Sequence, residues 1–283
     1  LNKASAVVKA NAYGLGMKKI SKALNEKGCN FFYVAQLEEA ISLRKIFKSK
    51  NISIAVLEGL IHDLFYYKKY KILPVINSLD QLNTVRKKSS SNIKKNIKII
   101  LNFDTGMNRL GFNSNELEDL LNYISSQPEI RVTGIFSHLY NSDSKLNDEL
   151  TLSQIQNFIT SCDFIEKRLG YSTIKHILNS AGIERYTDKS FDMVRLGIGI
   201  YGISYNQPLN NVATLETKVS HIRNISKHEN IGYGINTAKK DHKIAIIPIG
   251  YADGFARILG NGNGNVLING VLVPTIGNIC MDM

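Results

Sequence analysis

Short apolar runs alternate with segments of helical spacing before residue 200, and this alternation limits the possible fold more than any other feature of the chain. Between the runs, apolar residues recur at the three- and four-residue spacing of amphipathic helices, as in Leu37–Phe47 and Ile155–Leu169. Eight runs have the length of strands: Ala4–Lys9, Phe31–Ala35, Ile52–Leu57, Ile72–Ile76, Ile97–Phe103, Val132–Ser137, His176–Leu178 and Met193–Leu196. This alternation predicts an α/β fold of the (β/α)8 TIM-type barrel class, with a doubly wound sheet as the alternative.

The pattern changes after Tyr201, where Asn206-Gln-Pro-Leu-Asn-Asn interrupts the alternation. The apolar runs beyond this point are separated by glycine- and asparagine-rich turns: Ala213–Ile225, Lys243–Ile249, Asn265–Ile268 and Val271–Ile276. We therefore expect a barrel over residues 1–210 and a mostly-β C-terminal domain over residues 211–283. Because a domain that ends after these runs would expose strand edges, we expect the β domain to be incomplete in this sequence.

The net charge of +11 raises the question of a nucleic-acid partner. The densest basic stretch, Arg86–Lys98, contains serine and asparagine but no interleaved aromatic residues, which is typical of a solvated loop. We therefore expect no nucleic-acid binding. Attraction of anionic substrates or cofactors is an equally good use of the positive charge.

Several other classes of protein are disfavoured by simple features of the sequence. No apolar run approaches the roughly 18 residues of a membrane span, and the first residues lack the layout of a signal peptide. Cys29, Cys162 and Cys280 lie far apart without a C-x-x-C pair, which argues against a disulfide framework and a zinc site. We therefore expect a cytoplasmic protein without a membrane partner or a bound metal.

Polar and cationic residues follow the apolar runs, at the ends where barrels of this class carry their chemistry. Lys9 follows three apolar residues, and a partly desolvated amine there is suited to Schiff-base formation. Later runs are followed by Asp104, Arg109, Ser137, His138, Asn179, Ser180 and Arg195. Each has a structural explanation when taken alone, such as a helix N-cap for Asn179. Together they predict a cup for an anionic ligand.

The loops after the seventh and eighth runs are the usual phosphate site of such barrels. Ser180 and the backbone N–H groups of Gly197 and Ile198 are suited to a phosphate. Residues 197–202 also match G-x-G-x-x-G, but no helical pattern follows and no acidic residue stands about 20 positions later, so a dinucleotide-binding site is rejected.

Seven segments, in order along nearly the whole chain, resemble the motifs of alanine racemases, which are fold-type III enzymes that use pyridoxal 5′-phosphate. The segments are Ala6-Val-Val-Lys9-Ala-Asn-Ala-Tyr13-Gly, Asp104-Thr-Gly-Met-Asn-Arg109-Leu-Gly, Asn179-Ser-Ala, Arg195-Leu-Gly-Ile, Gly232-Tyr233-Gly, Gly250-Tyr251-Ala-Asp-Gly and Gly277-Asn-Ile-Cys-Met281-Asp282. The resemblance implies that the protein interconverts L-alanine and D-alanine, supplies D-alanine for peptidoglycan, and works as a homodimer with shared active sites.

The same resemblance implies a role for each matching residue. It implies two bases on opposite faces of the substrate, Lys9, which also holds the cofactor, and Tyr233, which reaches the site of the partner subunit. It implies cofactor contacts for Tyr13, His138, Asn179, Ser180, Arg195, Gly197 and Ile198, with Arg195 opposite the pyridine nitrogen. It implies substrate contacts for Arg109, Met281, Tyr251 and Asp282. His138 would link Tyr233 to Arg195, and His176 would support Arg195.

Some positions depart from the family pattern. Asn102 stands where relatives have a lysine that can be carbamylated to orient the substrate-binding arginine, so Arg109 would be oriented otherwise, for example with a bound anion. Leu15 replaces a common histidine, and a C-terminal tyrosine that contacts the phosphate has no counterpart. The alternatives are a non-catalytic pyridoxal-phosphate carrier, which would lack the β domain, and a decarboxylase, for which Cys280 near Met281 is the only sign.

Overall fold

The computed structural model describes residues 4–47, 51–58, 64–89 and 97–283, which form two compact units, Leu1–Ala213 and Thr214–Met283. In the described part of the first unit, parallel strands pair in sequence order, and the eighth strand returns to the first. The strands are β1 Ala4–Val7, β2 Phe31–Val34, β3 Ser53–Val56, β4 Leu73–Ile76, β5 Ile97–Asn102, β6 Ile130–Phe136, β7 Ile174–His176 and β8 Val194–Leu196.

Backbone hydrogen bonds also link the last two strands and nearly close the sheet. The Asp192 N–H donates to the Lys175 carbonyl at 3.1 Å, and the Arg195 N–H donates to the Leu178 carbonyl at 3.0 Å. A doubly wound sheet would reverse its strand order at a switch point, which this sheet does not do. The predicted barrel is confirmed, and the doubly wound alternative is wrong.

Helices connect the strands, as the 3.6-residue periodicity predicts. They are α1 Met17–Glu26, α2 Leu37–Ile46, α3 Leu64–Lys69, α4 Leu79–Ser89, α5 Leu117–Ser125, α6 Asp148–Leu169 and α7 Ser180–Arg185. Helix α6 begins seven residues before the predicted Ile155, because its first two turns carry polar residues that hide the apolar spacing. No helix among the described residues is long and apolar enough to cross a membrane.

The strands are buried on both faces, which is why they read as continuous apolar runs. One face packs against the helices in the larger core. The other face fills the barrel interior with one residue from nearly every strand or the residue preceding it: Val7, Tyr33, Ala55, Val75, Ile100, Phe136 and Met193. A tyrosine therefore lies in the centre of the barrel, among residues that are otherwise apolar.

The basic stretch Arg86–Lys98 is not a loop at either end, so that prediction is wrong there. Its first residues, up to Ser89, continue helix α4, and Lys98 belongs to strand β5. Residues 90–96 lie outside the described part of the chain. Lysine and arginine are good helix formers, so a charged composition alone does not distinguish a solvated loop from a helix end.

Strand β1 ends at Val7 rather than at the predicted Lys9, because the backbone turns left-handed directly after Lys9. The φ angles of residues 10–13 lie between 51° and 56°. The N–H of Gly14 closes this turn on the Ala10 carbonyl at 2.9 Å. A left-handed conformation costs a non-glycine residue roughly 1–2 kcal/mol, so the surrounding fold must hold the turn in place.

Two side chains supply that support. The Glu39 carboxylate, in the first turn of α2, accepts a hydrogen bond from the Ala10 N–H at 2.5 Å. The Asn11 side-chain oxygen accepts one from the Met17 N–H at 2.9 Å, where α1 begins. The turn that carries Lys9 is thus fastened to the two helices that follow it.

The second unit consists of two antiparallel hairpins. Strand β9, His221–Ile225, pairs with β10, His242–Ile246, and β11, Asn265–Ile268, pairs with β12, Val271–Pro274. The second hairpin turns at Asn269-Gly270, whose positive φ values of 48° and 81° explain the Asn-Gly pair that predicted it. The predicted run Ala213–Ile225 is a strand only from His221 onward.

Because of the left-handed turn, we expect a substitution by glycine to stabilise the protein rather than destabilise it. Ala10 is exposed and has φ 51°, so Ala10→Gly should raise the free energy of unfolding by about 1 kcal/mol because glycine adopts this conformation without strain. The same change at exposed Ala23, inside α1, should lower it by about 1 kcal/mol. Urea unfolding of both variants measures the two effects, and a loss of stability in both would contradict the strained turn.

Candidate active site

A cavity of about 560 Å³ opens at the carboxyl ends of the barrel strands. Its walls include the residues that follow β1, β2, β3, β5, β6, β7 and β8. The cavity is lined by all nine barrel residues to which the family resemblance gave a catalytic, cofactor or substrate role: Lys9, Tyr13, Arg109, His138, Asn179, Ser180, Arg195, Gly197 and Ile198. Parallel strands present their carboxyl ends at the same rim, which is why residues so distant in sequence meet here.

One pole of the cavity is built from small residues and hydrogen-bond donors. The hydroxyl oxygen of Ser180 accepts hydrogen bonds from the N–H groups of Gly197 at 3.0 Å and Gly199 at 3.1 Å. The hydroxyl hydrogen is therefore left to donate elsewhere. Ile198 begins a short 3-10 helix, so its N–H has no acceptor within that helix.

Two glycines keep the space beside these donors open. A Cβ atom at Gly197 would lie 3.1 Å from the Tyr13 hydroxyl oxygen, and one at Gly199 would lie 3.3 Å from the Ser180 hydroxyl oxygen. Burial raises the pKa of Tyr13, so its hydroxyl is protonated at neutral pH and can donate. Hydroxyl and amide donors around an open space fit a phosphate group.

Asn179 is the N-cap residue of helix α7, as its position before a short helix suggested. Its side-chain oxygen accepts hydrogen bonds from the Gly182 N–H at 2.9 Å and the Ser142 hydroxyl at 2.7 Å, and its amide donates to the Leu139 carbonyl at 3.1 Å. Asn179 thus caps helix α7 and fixes Ser180, the first residue of that helix.

Arg195, on β8, lies buried at the floor of the cavity. Its guanidinium donates to the backbone carbonyls of Ser137 at 2.6 Å, His176 at 3.1 Å and Ile177 at 3.3 Å. It also contacts the Nδ1 atoms of two imidazoles, that of His138 at 3.4 Å and that of His176 at closer range. No carboxylate among the described residues forms a salt bridge with it, so the charge is uncompensated.

The two imidazoles beside Arg195 are neutral. Burial, followed by the positive charges of Arg195, Arg109 and Lys9, lowers the pKa of His138 to about 3. Burial and Arg195 lower the pKa of His176 well below its usual value. Because a guanidinium can only donate hydrogen bonds, both Nδ1 atoms must be acceptors. Burial lowers the pKa of Arg195 itself to about 10, which leaves it protonated at neutral pH.

Arg109 lies in the loop after β5, which is folded back on itself. The Asp104 carboxylate accepts hydrogen bonds from the backbone N–H groups of Gly106 at 2.8 Å and Arg109 at 3.1 Å. The Phe112 N–H donates to the Asn102 carbonyl at 2.9 Å and closes the loop. Hydrogen bonds within the loop therefore fix the backbone around Arg109.

Asn102 gives this loop a further support. Its side-chain amide donates to the Leu110 carbonyl at 3.0 Å and to the Asn77 side-chain oxygen at 2.7 Å. The Asn77 amide in turn donates to the Leu57 carbonyl at 3.3 Å. Because the carbonyls at both ends can only accept, the orientation of both asparagines is fixed, and three consecutive strand ends are joined to the Arg109 loop.

Four predicted site residues belong to the second unit. Tyr251, Met281 and Asp282 come together there, because the N–H groups of Tyr251 and Ala252 donate to the carbonyls of Cys280 at 3.0 Å and Met281 at 2.9 Å. Tyr233 lies in a turn, and its backbone carbonyl accepts a hydrogen bond from the Asn278 side-chain amide at 2.9 Å. Its side chain is 75% exposed.

Two family models together match nearly the whole chain: "Alanine racemase, N-terminal domain" over residues 2–205 and "Alanine racemase, C-terminal domain" over residues 212–283. The chain belongs to the alanine racemase family. The alanine racemase of Rickettsia bellii is 38% identical over 286 residues, which cover 98% of this chain and 67% of that protein. That of Rickettsia akari is also 38% identical, over 98% of this chain and 76% of its own length.

Solved structures of alanine racemases have the same fold. The enzyme from Bartonella henselae, with covalently bound pyridoxal phosphate, has a TM-score of 0.86 at 33% identity, over 99% of this chain and 77% of its own. The Bacillus anthracis enzyme, with bound L-Ala-P, has a TM-score of 0.87 at 29% identity, over 99% of this chain and 74% of its own. The predicted family and the prediction of an amino-acid racemase are confirmed, and neither a carrier nor a decarboxylase is favoured.

Sequence reasoning missed two residues that shape the site. Asn77 follows β4, one of three strands for which no polar end residue was singled out, and its position there was the available signal. Tyr33 was part of an apolar strand run, yet its hydroxyl lies 3.0 Å from the Nε2 atom of His176. The only feature of the sequence that pointed to Tyr33 was its hydroxyl group within an otherwise apolar strand run.

The fixed orientation of Asn102 predicts the effect of an isosteric change. Asn102→Asp would place carboxylate oxygens against the Leu110 carbonyl and the Asn77 oxygen, and should lower the free energy of unfolding by about 2–3 kcal/mol at pH 7. The control is Asn115→Asp, the same change at an exposed position in this domain. Denaturant unfolding compares the two, and equal effects would mean that the amide relay does not support the loop.

The lowered pKa of His138 predicts a loss of stability in acid. The unfolded chain takes up a proton near the usual pKa of 6.5 and the folded chain only near 3, so this contribution is complete above pH 6.5 and is lost as the pH falls toward 3. His138→Asn should reduce the slope of unfolding free energy against pH in this window by up to about 1 kcal/mol per pH unit. Chemical denaturation between pH 7 and pH 4 measures the slope, with His221→Asn as the matched control on an exposed strand. A slope that His138→Asn leaves unchanged would contradict the assignment.

Proposed function

We propose that this chain interconverts L-alanine and D-alanine, with pyridoxal 5′-phosphate held on Lys9. The observation that carries the proposal is the single cavity that joins Lys9, the Ser180–Gly197 pole and Arg195 in a member of the alanine racemase family. The pyridoxal phosphate bound covalently in the Bartonella henselae enzyme supports the choice of this cofactor for the present chain. The product would supply D-alanine for peptidoglycan.

The chain's own residues fit the cofactor at both of its poles. Tyr13, Ser180, Gly197 and Ile198 would hold the phosphate group, Gly197 through its N–H bond to the Ser180 hydroxyl oxygen, and Asn179 would position Ser180. Arg195 would lie opposite the pyridine nitrogen. As a cation that only donates hydrogen bonds, it would leave that nitrogen unprotonated, which would limit side reactions such as transamination.

When bound through its aldehyde to an amine, pyridoxal phosphate draws electrons from the Cα atom of an amino acid and makes the Cα proton removable. Racemisation then requires one base on each face of a planar carbon. Lys9, half-buried at the cavity rim, removes or returns the proton on one face. Tyr233 does so on the other.

The family resemblance implies the groups that would hold the substrate. The Arg109 guanidinium binds the alanine carboxylate, and the loop contacts of Asp104 and Asn102 set its position. The backbone of Met281 adds a second contact to the carboxylate. Tyr251 and Asp282, which lie on adjoining segments of the second unit, line the entrance.

Tyr233 reaches the site of a second copy of the chain, so the active protein is a homodimer with shared sites. The 75% exposure of its side chain on its own unit supports this arrangement. A free tyrosine has a pKa of about 10 and needs a cationic or hydrogen-bonding neighbour to act as a base. The His138–Arg195 pair provides one.

Two further points complete the proposal. The barrel, residues 1–210, carries the cofactor, and the β domain, residues 211–283, carries the second base. The three free thiols, Cys29, Cys162 and Cys280, support a reduced, cytoplasmic setting.

Shared sites predict that two inactive variants restore activity when they are mixed. Lys9→Ala and Tyr233→Phe should each abolish formation of D-alanine from L-alanine. After joint unfolding and refolding, up to about one quarter of wild-type activity should return, because half of randomly formed dimers are mixed and each of those has one intact site.

Chiral chromatography of the product measures this activity, with Lys9→Ala mixed with Tyr66→Phe as the positive control for refolding. Tyr66 lies on α3, away from the cavity lining. No recovery from the first mixture, alongside recovery from the control, would show that Lys9 and Tyr233 do not act across subunits.

A further inference from the structure

Tyr33 is a polar residue in the barrel interior that the reaction does not use directly. It lies on β2, is completely buried, and is surrounded by apolar side chains from the neighbouring strands. Its hydroxyl oxygen lies 3.0 Å from the Nε2 atom of His176, and the other imidazole nitrogen of His176 contacts Arg195. Tyr33, His176 and Arg195 therefore form a chain that runs from the barrel centre to the cavity floor.

The direction of the hydrogen bonds in this chain follows from counting protons. A guanidinium has no acceptor, so the Nδ1 atom of His176 must accept from Arg195. His176 is neutral, so its one proton is on Nε2, which then donates to the hydroxyl oxygen of Tyr33. If the hydroxyl donated to Nε2 instead, a proton on Nδ1 would face the guanidinium.

We propose that Tyr33 is a positioning residue that accepts the Nε2 proton of His176 and thereby keeps the Nδ1 lone pair directed at Arg195. Through this contact it orients the guanidinium that faces the cofactor ring, so the inference rests on the proposed function. Tyr33 is not among the residues that line the cavity. It acts only through His176.

Ring packing holds the chain in this geometry. The imidazole of His176 stacks on Phe136 with 5.2 Å between ring centroids and 7° between planes, and the Tyr33 ring meets both edge-on at an angle of 64°. The guanidinium carbon of Arg195 also lies over the Phe136 ring, 4.6 Å from its centroid. These ring contacts do not involve the Tyr33 hydroxyl, so its loss acts on hydrogen bonding rather than on packing.

The first test is the protonation pattern of His176 in the ligand-free protein. The chain has six histidines, so 15N-histidine labelling gives few signals, and a His176→Gln sample assigns them. The proposal predicts a protonated Nε2 and an unprotonated Nδ1 between pH 6 and pH 9. A protonated Nδ1 would overturn it, and this result depends on no variant of Tyr33 and no cofactor.

The second test compares two buried tyrosines. Tyr33→Phe should weaken the hydrogen bond of the Nε2 proton, seen as an upfield shift and faster exchange with water, and should lower kcat about tenfold with an unchanged KM for alanine. Tyr67→Phe is the control, because the buried Tyr67 hydroxyl has no hydrogen-bond partner in the part of the chain that the structure describes. Identical His176 signals and kcat in the two variants would overturn the proposal.

The two tests separate this inference from the function on which it rests. If the protein did not racemise alanine, the proton on His176 would still show whether Tyr33 accepts from it. If racemisation were found but the proton lay on Nδ1, only the role of Tyr33 would fail.

Discussion

The buried charge of Arg195 is the constraint on which the rest of the site depends. An unpaired ion away from water is very costly, so its donors need acceptors, and no carboxylate among the described residues pairs with it. The acceptors are carbonyls and imidazoles at the ends of β6 and β7. The ends of these strands must therefore lie within reach of the Arg195 side chain, which links the closure of the barrel to the polarity of its floor. The same charge keeps His138 and His176 neutral and fixes which of their nitrogens accept.

Two other parts of the rim are built to present groups at fixed positions. Lys9 begins a left-handed turn of non-glycine residues, a strained conformation held by Glu39 and by the helices that follow. Arg109 lies on a loop fastened by Asp104 and by the relay from Asn102 to Asn77. In both cases hydrogen bonds fix the backbone that carries one basic side chain. A catalyst that acts on a single carbon atom benefits from such fixed positions.

The strands could be predicted from the sequence because both of their faces are buried, which leaves continuous apolar runs, and the polar residues that follow them marked the rim. Arg195 and His138 were found in this way, and the family motifs added Tyr233. The left-handed turn could not be predicted, since three of its four residues, two alanines and a tyrosine, have no preference for this conformation, and a single asparagine does not separate it from a strand end. The relay through Asn77 and the hydroxyl of Tyr33 depend on contacts between strands far apart in sequence, such as β2 with β7. The basic stretch was misread because composition does not report helical periodicity.

The central claim is that the rim of this barrel holds pyridoxal phosphate on Lys9 with its phosphate at the Ser180 pole. The most direct measurement is a peptide map by mass spectrometry after the protein, incubated with pyridoxal phosphate, has been treated with borohydride to make the linkage permanent. The account predicts a single modified site at Lys9, and much weaker labelling by pyridoxal, which lacks the phosphate. Labelling spread over surface lysines, or equal labelling by pyridoxal, would contradict it.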